Sequence, residues 1–426
     1  MTTAFFKKSL IAAAVTLAST QTFAAAFQLN EHSASGLGRA YAGEAAVADN
    51  ASVLSRNPAA MTRFDKMALS VSGTYIKPDV DVNGDIYAGS VNKGSASESG
   101  IAPSAFVPAT YFIQPLNDQW AWGIGLFSNY GLATEYTENF NAGSIAGNTE
   151  LLTFNINPNI AYRVNQHLSF GAGLNLVYAK AELNRRAGEL AAVSGIGKDT
   201  IVSHLKGDDW GYGWNVGTMY EVNENNRFAL TYRSQVDLTF KGDYQGTSSG
   251  FKTVSGELPL DLPAQAEFAG YHRLNQQFAV HYSVNWTDWS AFQELKATSD
   301  QCKSTDGAGV CLYKPEKFKD STRYSLGGTW YVNPSWEARI GFAYDKTPIE
   351  PEYRSLSIPD SDRVWYSAGA TYHIDKDMSV DFGMAYLDGK KVDVNEKLVE
   401  SNEALRWKGT SHGNAFLASA QFNMKF

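Results

Sequence analysis

Ser411 and His412, in GTSHG, are the nearest approach in this 426-residue chain to a nucleophile beside a base. Neighbouring residues of a strand point to opposite faces, so the two cannot hydrogen-bond as a dyad. GLGRAYAG, Gly36 to Gly43, lacks both the strand-and-helix setting and the Lys-Ser/Thr ending of a phosphate loop. Cys302 and Cys311 enclose KSTDGAGV, a polar loop. In an oxidising compartment they read as a local disulfide, with two free thiols as the alternative. No His or second Cys pair lies near them in sequence, so neither a metal nor a cofactor is expected. The chain offers little for catalysis, and its organisation has to say what it does instead.

The chain opens MTTAFFKKSLIAAAVTLASTQTFAAAFQ, with two lysines, an apolar run from Leu10 to Ala18 and small residues around Ala24. That pattern is a secretory signal peptide over residues 1–24, with a mature start at Ala25 or shortly after it. Removing Lys7 and Lys8 takes the formal charge from -8 to -10. No later stretch has the 18 or so apolar residues of a spanning helix. A β-barrel crosses with strands of about ten residues that alternate between lipid and lumen, which keeps mean hydropathy low. Here it is -0.28, with 13% aromatic residues and 37 Gly.

A short turn recurs between alternating, aromatic segments: YFIQPLNDQWAWGIG, AYRVNQHLSFGAG, YEVNENNRFALTY, GYHRLNQQFAVHY, TWYVNPSWEARIGF and TYHIDKDMSVDFG. Each places Asn or Asp in a tight turn between two large apolar residues, as a hairpin crossing one interface requires. Six hairpins give twelve strands. KMALSVSGTYIKPD and the terminal GNAFLASAQFNMKF add two more. The expectation is a 14-stranded antiparallel outer-membrane β-barrel over residues 65–426, closed by pairing its first strand with its last.

The other connections, such as Asn184 to Asp208, Lys241 to Pro263 and Gln293 to Lys317, are long and suit the extracellular side. Alternation of period two supports the strands. Phe416, Ala418, Ala420, Phe422, Met424 and Phe426 form one lipid-facing row, and Met67, Leu69, Val71 and Tyr75 another.

A barrel of that size encloses an open channel unless something fills it. Residues 25–64 are rich in Ala, Ser and Gly, and Arg39, Glu44, Asp49, Arg56 and Arg63 could pair with a polar wall, so the segment reads as a hatch inside the lumen. A disordered periplasmic tail is the alternative. In LSRNPAAM, Pro58 fixes its own φ and pushes Asn57 out of helical geometry, while the Asn57 side chain caps nearby backbone.

The stretch AFQLNEHSASGLGRAYAGEAAVADNASVLSRNPAAM, with Asn57, Pro58 and Ala59, resembles the N-terminal hatch of the long-chain fatty acid transporter (FadL) family of Gram-negative outer membranes. SNYGLATEY, VYAKAEL, WGYGWN, ALTYRS, YSVNWTDWS, LKATS, SIPDSDRVWYSAG and terminal Phe426 resemble further family segments in the same order. The resemblance implies a fourteen-stranded barrel with a small hatch, in the Gram-negative outer membrane. It implies passive uptake of long-chain fatty acids.

The resemblance also implies site residues. The carboxylate-binding cations fall on Arg185 in LNRRAGEL and Lys314 in YKPEKFKD, with Arg186 and Lys317 as neighbours that could take either place. Glu316 could hold Lys314 in position. An outer encounter groove would lie between Arg186–Gly207, carrying Leu190, Val193 and Ile196, and Gly242–Pro263, carrying Phe251, Val254, Leu258 and Leu260. Exit would use a kink in the third strand at Asn129, Tyr130, Gly131, Leu132 and Ala133, since Gly within a strand marks a bend. Phe27 would reach toward the pocket, and Asp345 would tether the N-terminal segment.

Solvation or binding of anionic lipopolysaccharide is the plainer role for the four cations. An aromatic-hydrocarbon channel of the same family, a hydrophilic porin and an outer-membrane lipase-type barrel are the competing functions. Expected partners are long-chain fatty acids, outer-membrane lipid and lipopolysaccharide, with no nucleic acid, and the expected state is a monomer.

Overall fold

The computed structural model describes residues 26–400 and 402–426, so the signal peptide and the mature start at Ala25 lie outside the described residues. The strands form a closed antiparallel barrel of fourteen. The first half comprises β1 (Ala68–Ala88), β2 (Ala105–Pro115), β3 (Trp120–Phe127 and Gly131–Thr134), β4 (Asn148–Arg163), β5 (Leu168–Arg186), β6 (Ile201–Asn223) and β7 (Asn226–Arg233 and Val236–Gly246). Then come β8 (Val254–Leu262 and Gln265–Arg273), β9 (Phe278–Thr287 and Glu294–Ser304) and β10 (Gly307–Pro315 and Ser321–Asn333). The remaining four are β11 (Trp336–Asp345), β12 (Arg363–His373), β13 (Met378–Gly389 and Val392–Lys397) and β14 (Leu405–Lys425).

The six short turns join β2 to β3, β4 to β5, β6 to β7, β8 to β9, β10 to β11 and β12 to β13. Closure runs from Ala68 opposite Lys425 to Ala88 opposite Leu405. Val71 and Tyr75 on β1, and Phe416 and Phe422 on β14, are exposed on the outer surface, while Ser70, Ser72, Thr74, Ser419, Gln421 and Asn423 are buried within. That is the alternation a wall between lipid and a polar interior needs.

The long connections differ from plain loops, because the strands stay paired above the membrane. β5 and β6 remain paired up to Arg186 opposite Ile201, with a register shift between Arg185 and Arg186, and β7 and β8 pair from Val236–Leu262 to Tyr244–Val254. Gln293–Lys317 is largely a hairpin, Glu294–Ser304 against Gly307–Pro315, and Cys302 is bonded to Cys311 across it. Inward apolar residues such as Leu205, Phe240, Leu258 and Leu262 give these extensions a core of their own.

Residues 26–64 lie within the barrel and are almost wholly buried. They pack on three sectors of wall. Leu37, Ala40 and Tyr41 meet Trp365 and Ala343; Ala45, Ala46 and Val47 meet Ala229, Ala269 and Tyr271; Leu54, Ala59 and Met61 meet Tyr111, Ile113 and Phe127. Arg39 pairs with Glu44 at 2.7 Å and Asp49 at 3.0 Å, and Arg339 of β11 stands 3.5 Å from Asp49, so the segment's charges are compensated partly within it and partly by the wall.

Candidate functional site

Asn57 is extended (φ -141°, ψ 103°) and caps the short 3-10 helix Pro58–Arg63, with Pro58 in its first turn. Its Oδ1 accepts from Ala59 N at 3.0 Å, and its Nδ2 donates to Ala45 O at 2.9 Å and Thr218 O at 3.1 Å. One amide therefore ties the corner to itself, to the preceding turn and to β6. Gly217 and Gly171 make room: a Cβ on Gly217 would stand 2.1 Å from Asn57 Oδ1, and one on Gly171 2.3 Å from Ala59 N.

β3 is interrupted. Up to Leu126 it pairs with β2, and Ser128, Asn129 and Tyr130 then leave the ladder. From Gly131 to Thr134 it pairs with β4 again, while its ladder with β2 spans Thr110–Pro115 of that strand. The sequence placed the kink at Asn129–Ala133 through Gly131; the break lies slightly earlier, and Gly131 is where pairing resumes. Gly131 also lacks a positive φ, so its chief contribution is not unusual backbone freedom. Thr153 instead clasps the break: its Oγ1 donates to Tyr130 O at 2.6 Å, and Asn155 Nδ2 donates to Asn129 Oδ1 at 3.1 Å.

Phe27 sits over this break. Its ring meets Trp289 edge-on at 4.6 Å, Phe292 at 5.4 Å and Tyr130 at 6.0 Å. It also lines a cavity of about 600 Å³ in the extracellular half of the barrel. Leu132, Leu190, Ile196, Leu258, Leu260 and Phe292 contribute apolar wall, so residues of both groove segments join the cavity itself. Val254 is buried in the same core, whereas Phe251 is 44% exposed.

The cavity wall carries Arg185, Lys314, Glu316 and Glu396. Arg185 is buried, whereas its neighbour Arg186 turns outward to pair with Glu138. Lys314 is partly buried on the cavity wall, and Lys317 is exposed. Geometry thus separates each cation from its neighbour. The partner of Lys314 is Glu396 on β13 rather than Glu316, and Glu396 Oε2 also accepts from Leu356 N at 2.7 Å. Sequence reading missed Glu396, because it lies in an unremarkable charged run some eighty residues from Lys314. Glu316 is buried with Oε2 lacking a hydrogen-bond partner among the described residues. Burial pushes its carboxyl up to about 7, with Glu396 and Glu400 adding to that and Lys314 and Arg185 opposing it.

Asp345 is buried on β11, in register with Arg323 of β10 and Arg363 of β12. Arg323 Nη2 donates to Ala40 O at 2.8 Å, which links this patch of wall to the N-terminal segment. Ser411 and His412 are adjacent on β14, on opposite faces.

The family model for outer membrane protein transport proteins (OMPP1/FadL/TodX) matches residues 15–426. The chain belongs to this family. It is 44% identical over 458 residues to the long-chain fatty acid transport protein of Escherichia coli strain K12, covering 99% of each chain. It is 38% identical over 456 residues to outer membrane protein P1 of Haemophilus influenzae, covering 96% of this chain and 98% of that one.

The fold matches a Pseudomonas aeruginosa FadL homologue with a TM-score of 0.83 at 23% identity, over 94% of this chain and 100% of that one. It matches the Pseudomonas putida toluene transporter TodX with a TM-score of 0.69 at 19% identity, over 95% and 100%. Like other members of the family, the protein is an outer-membrane β-barrel, and its relatives are named as transporters and channels. Membership and barrel together make it an uptake channel for hydrophobic molecules.

Proposed function

We propose that the protein carries long-chain fatty acids passively across the outer membrane. One observation carries this reading: a largely apolar cavity of about 600 Å³ carries cations in its wall, the buried Arg185 and the partly buried Lys314 among them. Each buried methylene stabilises a bound alkyl chain by about 0.8 kcal/mol, so the cavity binds the tail and the cations chiefly orient the head. Glu396 holds Lys314 in a carboxylate-like embrace that an incoming carboxylate would replace. A purely aromatic hydrocarbon brings no charged head for either cation to orient.

Residues 26–64 act as the hatch, their burial against three sectors of wall supporting a stopper rather than a tail. An open hydrophilic pore is at odds with that filling. Release is sideways into the bilayer, at the break where Ser128–Tyr130 leave the β3 ladder. A lateral route spares the alkyl chain an aqueous step and needs only a concentration gradient.

The test is uptake of labelled oleate by cells lacking their own transporter, comparing the intact chain with Arg185→Ala, Lys314→Ala and Gly131→Val. All three should be impaired. Uptake equal to the intact chain in all three would defeat the mechanism while leaving the barrel untouched.

A further inference from the structure

Arg185 brings charge to the cavity but few spare donors. A guanidinium has five N–H groups. Nη1 donates to Asn148 O at 3.2 Å and Asn184 O at 3.0 Å, and Nη2 to Thr149 Oγ1 at 2.9 Å and Ser357 Oγ at 3.0 Å. Four of the five are therefore spent on neutral protein oxygens. Lys314 is likewise engaged by Glu396. An ionised carboxylate only accepts, with about four lone-pair sites, and burying it without donors is costly. The charge of Arg185 attracts a head group, yet hydrogen bonds to that group must come partly from elsewhere.

Ser203 stands where such a bond is needed. It lies on β6 directly opposite Arg185 of β5 and lines the same cavity. Side chains so paired share a face, with Cβ atoms about 5 Å apart. Ser203 is 5% exposed, and its Oγ has no hydrogen-bond partner among the described residues. Its register partner on the other flank is Gly246 of β7, which brings no side chain across the hydroxyl. A buried hydroxyl is normally satisfied, so one without a partner among the described residues, on a cavity wall beside a cation, marks a place for an anionic oxygen, reached by rotation of the serine side chain.

We propose that the Ser203 hydroxyl donates a hydrogen bond to the carboxylate of the bound fatty acid, making Ser203 a determinant of specificity for the acid over uncharged lipids. The proposal rests on the fatty acid reading above. Arg185 supplies the field that holds the carboxylate ionised, and Ser203 supplies a directed donor that an ester or hydrocarbon uses poorly.

Equilibrium binding of labelled oleate and labelled methyl oleate to the purified full chain, in Ser203→Ala, Ser203→Thr and Arg185→Ala forms, tests this. Ser203→Ala should weaken oleate about 10-fold, the range for a bond to a charged group, and change methyl oleate less than about 2-fold. Ser203→Thr, which keeps the hydroxyl, should recover most of the loss. Two results would overturn the assignment while leaving the head site in place: unchanged oleate binding in Ser203→Ala while Arg185→Ala loses it, or equal losses for acid and ester. Unchanged oleate binding in Arg185→Ala would instead remove the head site itself and this proposal with it. Thermal melting of Ser203→Ala should match the intact chain, since the substitution removes no protein hydrogen bond made by that side chain.

Discussion

The amide of Gly131 donates to the carbonyl of Phe27 at 2.8 Å, and the amide of Leu29 donates to the carbonyl of Asn129 at 2.7 Å. Residues 27–29 thus act as a short antiparallel strand on the break in β3, giving it bonds that β2 does not. These two backbone bonds, the Phe27 ring, His32 Nε2 at 3.0 Å from Ser128 O and Thr287 Oγ1 donating to Gln28 Oε1 at 3.1 Å hold the segment on the break.

Gln28 and Tyr130 face each other in that bridge. Opposed residues of an antiparallel pair have Cα atoms about 4.5–5.5 Å apart, a separation that suits a disulfide. A Gln28→Cys/Tyr130→Cys chain in a Cys302→Ser/Cys311→Ser background should therefore cross-link. Oxidised cells should take up labelled oleate at background rate and recover on reduction, with each single cysteine as control. Full uptake by the oxidised double variant would mean that the N-terminal strand does not have to move.

Lys314 and Glu396 should respond in opposite senses. Lys314→Ala removes a cation from the cavity wall and should weaken oleate binding about 10-fold or more, the worth of a charge-assisted bond. Glu396→Gln removes the competitor for Lys314 and should strengthen binding several-fold, while lowering stability because a buried pair is broken. Binding titrations and thermal melts of both variants check this. A loss of affinity in Glu396→Gln would show that the glutamate positions the lysine instead of competing for it.

The barrel was legible because its signal is repeated and local. Asn- or Asp-bearing turns such as that between Arg163 and Leu168 specify a hairpin within a dozen residues, and period-two alternation in Phe416–Phe426 assigns its faces. The Asn57 corner was legible for the same reason, since Pro58 acts on its immediate neighbour. The site is assembled otherwise. Glu396 reaches Lys314 across β13 and β10, and Trp289 and Phe292 reach Phe27 from the far side of the chain. Such contacts depend on how extracellular strand extensions fold over the lumen, and no spacing in the sequence records that.

The Cys302–Cys311 bond closes a short loop, with nine residues of sequence separation. Loop-closure entropy for a ring of that size is worth roughly 2.7 kcal/mol. The Cys311 carbonyl also accepts from Tyr244 Oη at 3.0 Å and Ser248 Oγ at 2.7 Å, so the hairpin is bonded to the end of β7. Cys302→Ser/Cys311→Ser should raise cleavage by added protease within residues 294–315 of intact cells and leave the melting of the barrel unchanged. Equal protection with and without the bond would make the Tyr244 and Ser248 contacts sufficient.

Glu316 gives the cavity a dependence on pH whose sign follows from its raised carboxyl. The group stands at about 7 against 4.5 for an ordinary glutamate. An acid raised in the folded state holds its proton more firmly there than in the unfolded chain. Its contribution to stability is therefore whole below pH 4.5 and is lost as pH rises through about 7. The same proton governs the ligand. When ionised, Glu316 adds a negative charge beside Arg185 and Lys314 that the neutral form does not. That added charge opposes a bound carboxylate. Oleate binding should weaken as pH rises from about 6 to about 8, by at most about 10-fold per pH unit above the midpoint. Glu316→Gln, which fixes the neutral form, should bind tightly and flatten the profile. Titrations of both chains across that range decide it, and parallel profiles would assign the pH dependence to another group.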